Sequence, residues 1–217
     1  LFLKRVAQAG ILGLFPSLYA WQIEPFWLEF VEKKLPIKNL PQDLIGKKLM
    51  QISDLHVGNR FDPQFLVDSF QKAKLLNPDF VVYTGDFVNK GNETELAQLE
   101  MVMKQAVLGK LGTFGILGNH DYGKNWKNTE QASRISEILE NHGISMLNNQ
   151  QKSCEGLHFI GFEDLWSPNF HPEKVMSAYD ASKANIVLCH NPDACDKDIW
   201  NGYQGWILSG HTHGGQC

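Results

Sequence analysis

Hydrophobic and polar residues change period several times along the chain, and each change predicts an element. After Asp62-Pro63, a helix cap followed by a proline whose φ suits the first turn, Leu66, Phe70 and Ala73 recur at helical spacing. Asn77-Pro78 turns the chain, and the unbroken run Phe80-Val81-Val82-Tyr83 predicts a strand covered on both faces. The unit then repeats. Asn92 with Glu95 makes a capping box ahead of Leu96, Leu99, Met103 and Ala106, with Gly109 as the stop, and Thr113 to Leu117 form the next strand. Thr129 opens a third helix with Ala132, Ile135 and Leu139 on one face, ending at His142-Gly143. Strands dominate from there, at Ile144 to Leu147, Leu157 to Phe162, Ala184 to Cys189 and Trp206 to Leu208. Upstream, Lys47 to Ile52 enters a strand, and Phe26, Leu28 and Phe30 alternating with Trp27 and Glu29 predict another through about Lys33. Strands alternating with helices define an α/β chain.

Five of these strands end in polar clusters: Ser53-Asp54-Leu55-His56, Thr84-Gly85-Asp86, Gly118-Asn119-His120-Asp121, His190-Asn191-Pro192-Asp193 and Ser209-Gly210-His211-Thr212-His213. In an open α/β sheet that edge is where ligands bind. Asp54 and His56 are two apart, so on extended backbone they face one side and can grip one ion, and His211 and His213 repeat the spacing. Asp86 has two carboxylate oxygens with which to bridge two cations, and Asn119 and His190 complete a set of seven oxygen and nitrogen donors. With no thiolate among them, the set suits two borderline-to-hard divalent ions: manganese first, then iron or zinc. Gly118 lets the backbone turn tightly as it leaves its strand. His120 can move a proton near neutral pH, and Asp121 can hold that imidazole in one tautomer. Each residue alone could be a strand-end polar group; their joint arrival in register marks a site. His142, His158 and His171 lie outside every cluster.

Composition narrows the substrate. A chain of 217 residues that is 43% hydrophobic and 20% charged fits one globular domain with a sizeable core. A formal charge of -4 argues against nucleic acid and favours a small or lipid-borne substrate. Cys154, Cys189, Cys195 and Cys217 form no C-x-x-C pair and read as free or buried thiols. Residues 1–23 stand apart: Lys4 and Arg5 precede the uncharged run Val6 to Ile23, as a basic n-region precedes an apolar h-region. The expected division is a signal-like or membrane-anchor segment at 1–23 and a catalytic domain at 24–217. Leu1-Phe2-Leu3-Lys4 resembles the tail of the twin-arginine export motif, which places the protein at the membrane or exported into a bacterial envelope.

The blocks Asp54-Leu55-His56, Gly85-Asp86, Gly118-Asn119-His120-Asp121, His190 and Gly210-His211-Thr212-His213 resemble, in order and residue type, the signature of the calcineurin-like metallophosphoesterases. The resemblance covers about residues 23–217. It implies a four-layer αββα sandwich that ordinarily continues in further strands. It also implies one metal on Asp54, His56, Asp86 and His213 and another on Asp86, Asn119, His190 and His211. Ile23-Glu24-Pro25 and the closing Gly210 to Gln216 look most like a bacterial branch with an N-terminal export or membrane segment. That branch includes enzymes cleaving UDP-2,3-diacylglucosamine in lipid A synthesis. The implied activity is hydrolysis of a phosphodiester or pyrophosphate, lipid-linked and presented at a membrane surface. A metal-bridging hydroxide would attack, and His120, oriented by Asp121, would protonate the leaving oxygen. The contrasting reading is a catalytically silent, membrane-tethered binding scaffold on the same fold. Such scaffolds lose ligands, and this chain keeps all seven.

Overall fold

The computed structural model describes residues 26–58 and 62–213. The chain divides into two units, 1–34 and 35–217. In the first, the strand expected through Lys33 does not form. Alternation marks a strand only when a neighbour completes its ladder and a face is buried. Here Phe26, Trp27, Leu28, Phe30 and Val31 are all exposed. The signal-like residues 1–23 lie outside the described residues. Among the described residues, no helix is long and apolar enough to cross a membrane.

The second unit carries two four-stranded sheets. The first, in the order β1 (Leu49–Ile52), β2 (Phe80–Thr84), β3 (Gly112–Ile116) and β4 (Ser145–Met146), is parallel throughout. Its crossovers are the helices α1 (Pro63–Lys74), α2 (Glu93–Met103) and α3 (Thr129–Asn141). Asp62 caps α1, its side chain accepting the Gln64 N–H at 2.7 Å. Asn92 caps α2 through the Glu95 N–H, but Glu95 does not return the bond to Asn92 N–H as a capping box would. Its carboxylate accepts instead from the N–H groups of Lys90 and Gly91 and from the Asn92 side chain. Helix α2 also ends at Met103, well before Gly109.

The second sheet runs β5 (Gln150–Cys154), β6 (Leu157–Gly161), β7 (Ala184–Leu188) and β8 (Trp206–Leu208), parallel except that β5 is antiparallel to β6. Strand β5 was not expected: its Gln-Gln-Lys-Ser-Cys sequence is polar, as suits an exposed edge. Its signal is Glu155-Gly156, which join it to β6 with φ of 52° and 83°, a two-residue hairpin turn with both centres left-handed.

Side chains alternate across each strand, so the apolar run of β2 serves two cores. Val81 and Tyr83 face the helices with Leu66, Phe70, Leu99 and Ile135. Phe80 and Val82 join Phe114 and Ile116 against Phe159, Ile186 and Leu188 of the second sheet, where the Phe114 and Phe159 rings stack at 4.2 Å. The outer face of the second sheet, Ile160 and Val187, is covered by Val175 and Met176 of the short helix α4 (Glu173–Met176), together with Ala194 and Tyr203. The result is two sheets face to face between helical coverings, full on one side and slight on the other. Among the described residues, Cys154, Cys189 and Cys195 are free thiols.

Candidate metal centre

Strands β1, β2 and β3 of one sheet and β7 and β8 of the other deliver their following residues to one place. His56 Nε2 lies 3.9 Å from Asp54 Oδ1, 3.5 Å from Asp86 Oδ2 and 3.1 Å from His213 Nε2. His213 Nε2 is 3.5 Å from Asp54 Oδ1, and His190 Nε2 is 3.2 Å from Asp86 Oδ2. His211 Nδ1 is 3.0 Å from Asn119 Oδ1. Donor atoms thus gather as Asp54, His56 and His213 and as Asp86, His190 and His211, while His56, Asp86 and His120 form a third group. Ligands about 2.1 Å from a cation are roughly 3.0 Å apart along an octahedral edge and roughly 3.4 Å along a tetrahedral one. The contacts of 3.0–3.5 Å match that spacing, while Asp54 Oδ1 and His56 Nε2, 3.9 Å apart, are wider.

The set fits divalent cations on a further observation. His190 is fully buried, and its Nδ1–H donates to the Thr84 carbonyl at 2.6 Å. In the neutral ring, the form that binds a metal, this leaves the lone pair on Nε2. Nε2 is buried without a hydrogen-bond partner and faces Asp86, as a metal-ligating nitrogen would.

The backbone route to this cluster differs from an extended strand. Asp54, His56, Asp86, His211 and His213 have φ of 55°, 43°, 55°, 69° and 48°, in the left-handed region. Asp54 and His56 therefore converge through left-handed turns rather than by strand alternation, and so do His211 and His213. Such residues cost on the order of 1–3 kcal/mol each, and they cluster where the surroundings compensate. Part of the compensation is visible: the His211 N–H donates to both oxygens of Asp54, and the His120 N–H donates to Asp86 Oδ1 at 2.9 Å.

Charges on the cluster are mutually set. Burial opposes charge on His190, but contact with Asp86 outweighs it and raises the imidazole to about 9. Asp86 is correspondingly lowered: burial raises it, and contact with His190 and the field of His56 outweigh that. His56 and His211 are lowered, chiefly by burial, which favours the neutral ligand form.

Two residues act differently from expectation. Asp121 does not touch the His120 ring. Its Oδ1 accepts the N–H groups of Phe87 and Val88, at 2.8 and 3.2 Å. Its Oδ2 accepts those of Asp86 and Gly118, at 3.0 and 2.9 Å. Burial, and then the Asp86 charge, push this carboxyl up to about 8 against the pull of its amide donors. Yet all four partners are donors and none can accept a carboxyl proton, so the carboxylate is the form that satisfies the geometry. The His120 ring is held instead by Asn89, whose carbonyl accepts its Nδ1–H at 2.7 Å. Gly118 is extended, with φ of -109°, so it makes no tight turn. Its missing side chain matters for another reason: a Cβ there would lie 2.6 Å from the Asp86 nitrogen and 2.8 Å from His190 Cε1.

A sixth strand end joins the site. After β6, Asp164 is fully buried; its Oδ1 accepts the Trp166 N–H at 2.8 Å while Oδ2 has no partner, and burial pushes it up to about 6. Beside it Glu163, also raised to about 6 by burial, accepts the Tyr122 hydroxyl. The same strand-end rule applied to Gly161-Phe162-Glu163-Asp164 would have found both. His142 caps α3, its Nδ1–H bonding the Ile138 carbonyl, away from the cluster.

Two sheets between helices, with Asp, His and Asn gathered at their carboxyl edge, define the metal-dependent phosphoesterase class. Residues 47–215 match the calcineurin-like phosphoesterase family, and the chain belongs to it. It is a metal-dependent phosphoric ester hydrolase. Among its relatives, UDP-2,3-diacylglucosamine pyrophosphatase LpxG of Chlamydia muridarum is 27% identical over 245 residues, covering 92% of this chain and 73% of that protein. The protein of the same name from Chlamydia trachomatis serovar D is 28% identical over 225 residues, covering 82% and 68%. A transmembrane protein with metallophosphoesterase domain from Danio rerio is 26% identical over 203 residues, covering 86% and 44%.

Proposed function

We propose that the protein cleaves a phosphodiester or pyrophosphate with a lipid on one side, UDP-2,3-diacylglucosamine being the leading candidate, using two divalent cations of which manganese is the first choice. The observation that carries the reading is buried Asp86, whose Oδ2 lies 3.5 Å from His56 Nε2 of one donor group and 3.2 Å from His190 Nε2 of the other. One cation is assigned to Asp54, His56, Asp86 and His213, the other to Asp86, Asn119, His190 and His211. Bound there, the ions supply positive charge against the phosphoryl oxygens and activate water at neutral pH. His120 is assigned the proton for the leaving oxygen: Nδ1–H is tied to Asn89, so Nε2 is the atom that takes up and delivers it. Asp121 positions both Asp86 and Gly118 through their amides.

The lipid side of the reading draws on three supports. Relatives named for a lipid-linked pyrophosphate substrate share this domain at 27–28% identity. Residues 1–23 have the charge and hydropathy order of an export or anchor segment that leads into the catalytic domain. Directly after it, Trp27 and Val31 are 69% and 68% exposed, an arrangement that suits a membrane surface and a place in the bacterial envelope. Anchoring raises the effective concentration of a lipid substrate and does nothing for a soluble one. The test compares the intact protein with a version lacking residues 1–23, on UDP-2,3-diacylglucosamine in vesicles and on a soluble aryl phosphodiester, with manganese. Truncation should slow only the vesicle reaction. Equal rates on both substrates before and after truncation, or a preference for soluble monoesters, overturns the lipid assignment.

A further inference from the structure

Beside the metal centre a cavity of about 780 Å³ opens, lined by His120, Trp126, Trp166 and the lysines Lys90, Lys124 and Lys127 among others. Trp126 and Trp166 stack at 4.5 Å with an interplanar angle of 28°, and Trp166 meets the ring of His211 edge-on at 4.8 Å. An aromatic ladder therefore runs outward from a proposed metal ligand. Both indoles remain more than a third exposed, although the fold has two well-packed cores in which to bury such rings.

The backbone holds Trp126 there against its own preference. Asn125 and Trp126 have consecutive left-handed φ of 61° and 57°, and a bulky residue in that region is a real outlier. They follow Gly123, whose φ of 62° and ψ of -150° only glycine adopts readily. A Cβ on Gly123 would lie 2.6 Å from Gln131 Oε1. Gln131 Nε2 in turn donates to the Asp121 carbonyl, so the loop is tied to the residue that clamps the site.

We propose that this cavity is the leaving-group subsite and that it takes a nucleotide, with the base stacked on Trp126 and the phosphate among Lys90, Lys124 and Lys127. The proposal rests on the reading of His120 as the group that faces the leaving oxygen; whatever lies beyond His120 is then the leaving group. Among the described residues lining the cavity there is no carboxylate, and three ammonium groups call for an anion. An acyl chain would leave the three lysines without an anion, whereas a flat base finds an indole face and its phosphate finds the cations. The volume exceeds what a simple aryl phosphate fills and lies within the range of drug-sized ligands.

The test titrates the manganese-loaded protein with uridine 5′-monophosphate, ribose 5-phosphate and octyl phosphate, reading tryptophan fluorescence and inhibition of aryl phosphodiester hydrolysis. The nucleotide should bind about tenfold more tightly than ribose 5-phosphate, the usual weight of one stacked base. Trp126→Ala should bring the two to parity, and Trp126→Phe, which keeps a ring face, should restore most of the difference. Lys124→Ala with Lys127→Ala should weaken both ligands by the same factor. Equal binding of nucleotide and ribose 5-phosphate by the wild type, or an unchanged ratio in Trp126→Ala, overturns the proposal. Tighter binding of octyl phosphate overturns it in favour of an acyl chain. Absence of any aryl phosphodiester hydrolysis would instead defeat the phosphoesterase chemistry, and the fluorescence titration decides the subsite independently.

Discussion

Replacing Asp121 by Asn separates two roles that the same residue could play. In the structure its two oxygens accept four backbone N–H groups, from Asp86, Phe87, Val88 and Gly118. Asparagine keeps the shape but turns one acceptor into a donor, and either orientation of the amide leaves two buried N–H groups facing an NH2. Hydrogen bonds to a charged acceptor contribute about 1.5–3 kcal/mol each, so losing two costs about 3–6 kcal/mol. That is a large part of the 5–15 kcal/mol that typically holds a domain folded. At about 2–4 °C per kcal/mol for a domain of this size, the melting temperature should fall by about 6–24 °C. Because two of the amides belong to Asp86 and Gly118, metal affinity should fall with it. Calorimetry of metal-free and metal-loaded protein, with metal titration, reads both. If Asp121 instead orients His120, the variant would melt within about 2 °C of wild type, keep its metal and lose turnover as His120→Ala does; that result refutes the clamp.

Three other changes probe neighbouring groups. Gly118→Ala places a Cβ 2.6 Å from the Asp86 nitrogen, so strand ends must shift by about 0.5–1 Å; overpacking should cost about 1–3 kcal/mol and turnover should drop on the order of 100-fold, by calorimetry and rate assay. His120→Ala should lower turnover on the order of 100-fold with metal content unchanged, and lower it less on substrates with good leaving groups. Asp164 has a folded pKa raised to about 6 by burial, so its ionisation removes stability as pH rises from about 4 through 6. Asp164→Asn should therefore melt like wild type at pH 4 and be stabilised by up to about 3 kcal/mol at pH 7, measured without metal.

The features legible in the sequence are those decided locally. Asp62-Pro63 announces α1 because cap and proline act on their own turn. The run Phe80 to Tyr83 announces a two-sided strand because both its faces are buried. The strand-end clusters were legible because a strand carries the residues after it to the sheet edge, whatever the loops do. The misreadings are of groups whose role depends on a partner far along the chain. Phe26 to Val31 alternate correctly but form no strand. Strand β5 is the exception: its partner β6 lies one two-residue turn away, but its polar sequence has no apolar alternation and only Glu155-Gly156 marked it. Asp121 looks like an orienter of its neighbour His120, yet three of its four partners come from the residues after β2, and Asn89, which does hold the ring, is distant in sequence. The left-handed turns at Asp54 and His213 have no local signature beyond a tolerance of Asp and His for that region.

In the proposed site Asp86 joins two cations into one hydrolytic centre. The most direct test of that arrangement is metal stoichiometry, measured after dialysis against manganese in wild type, Asp86→Ala and His213→Ala, alongside aryl phosphodiester hydrolysis. Wild type should hold two equivalents, His213→Ala should lose the affinity of one, and Asp86→Ala should lose both together with activity. Two equivalents and measurable turnover retained in Asp86→Ala, or turnover in wild type that survives complete chelation, would rule out a two-cation site built on Asp86.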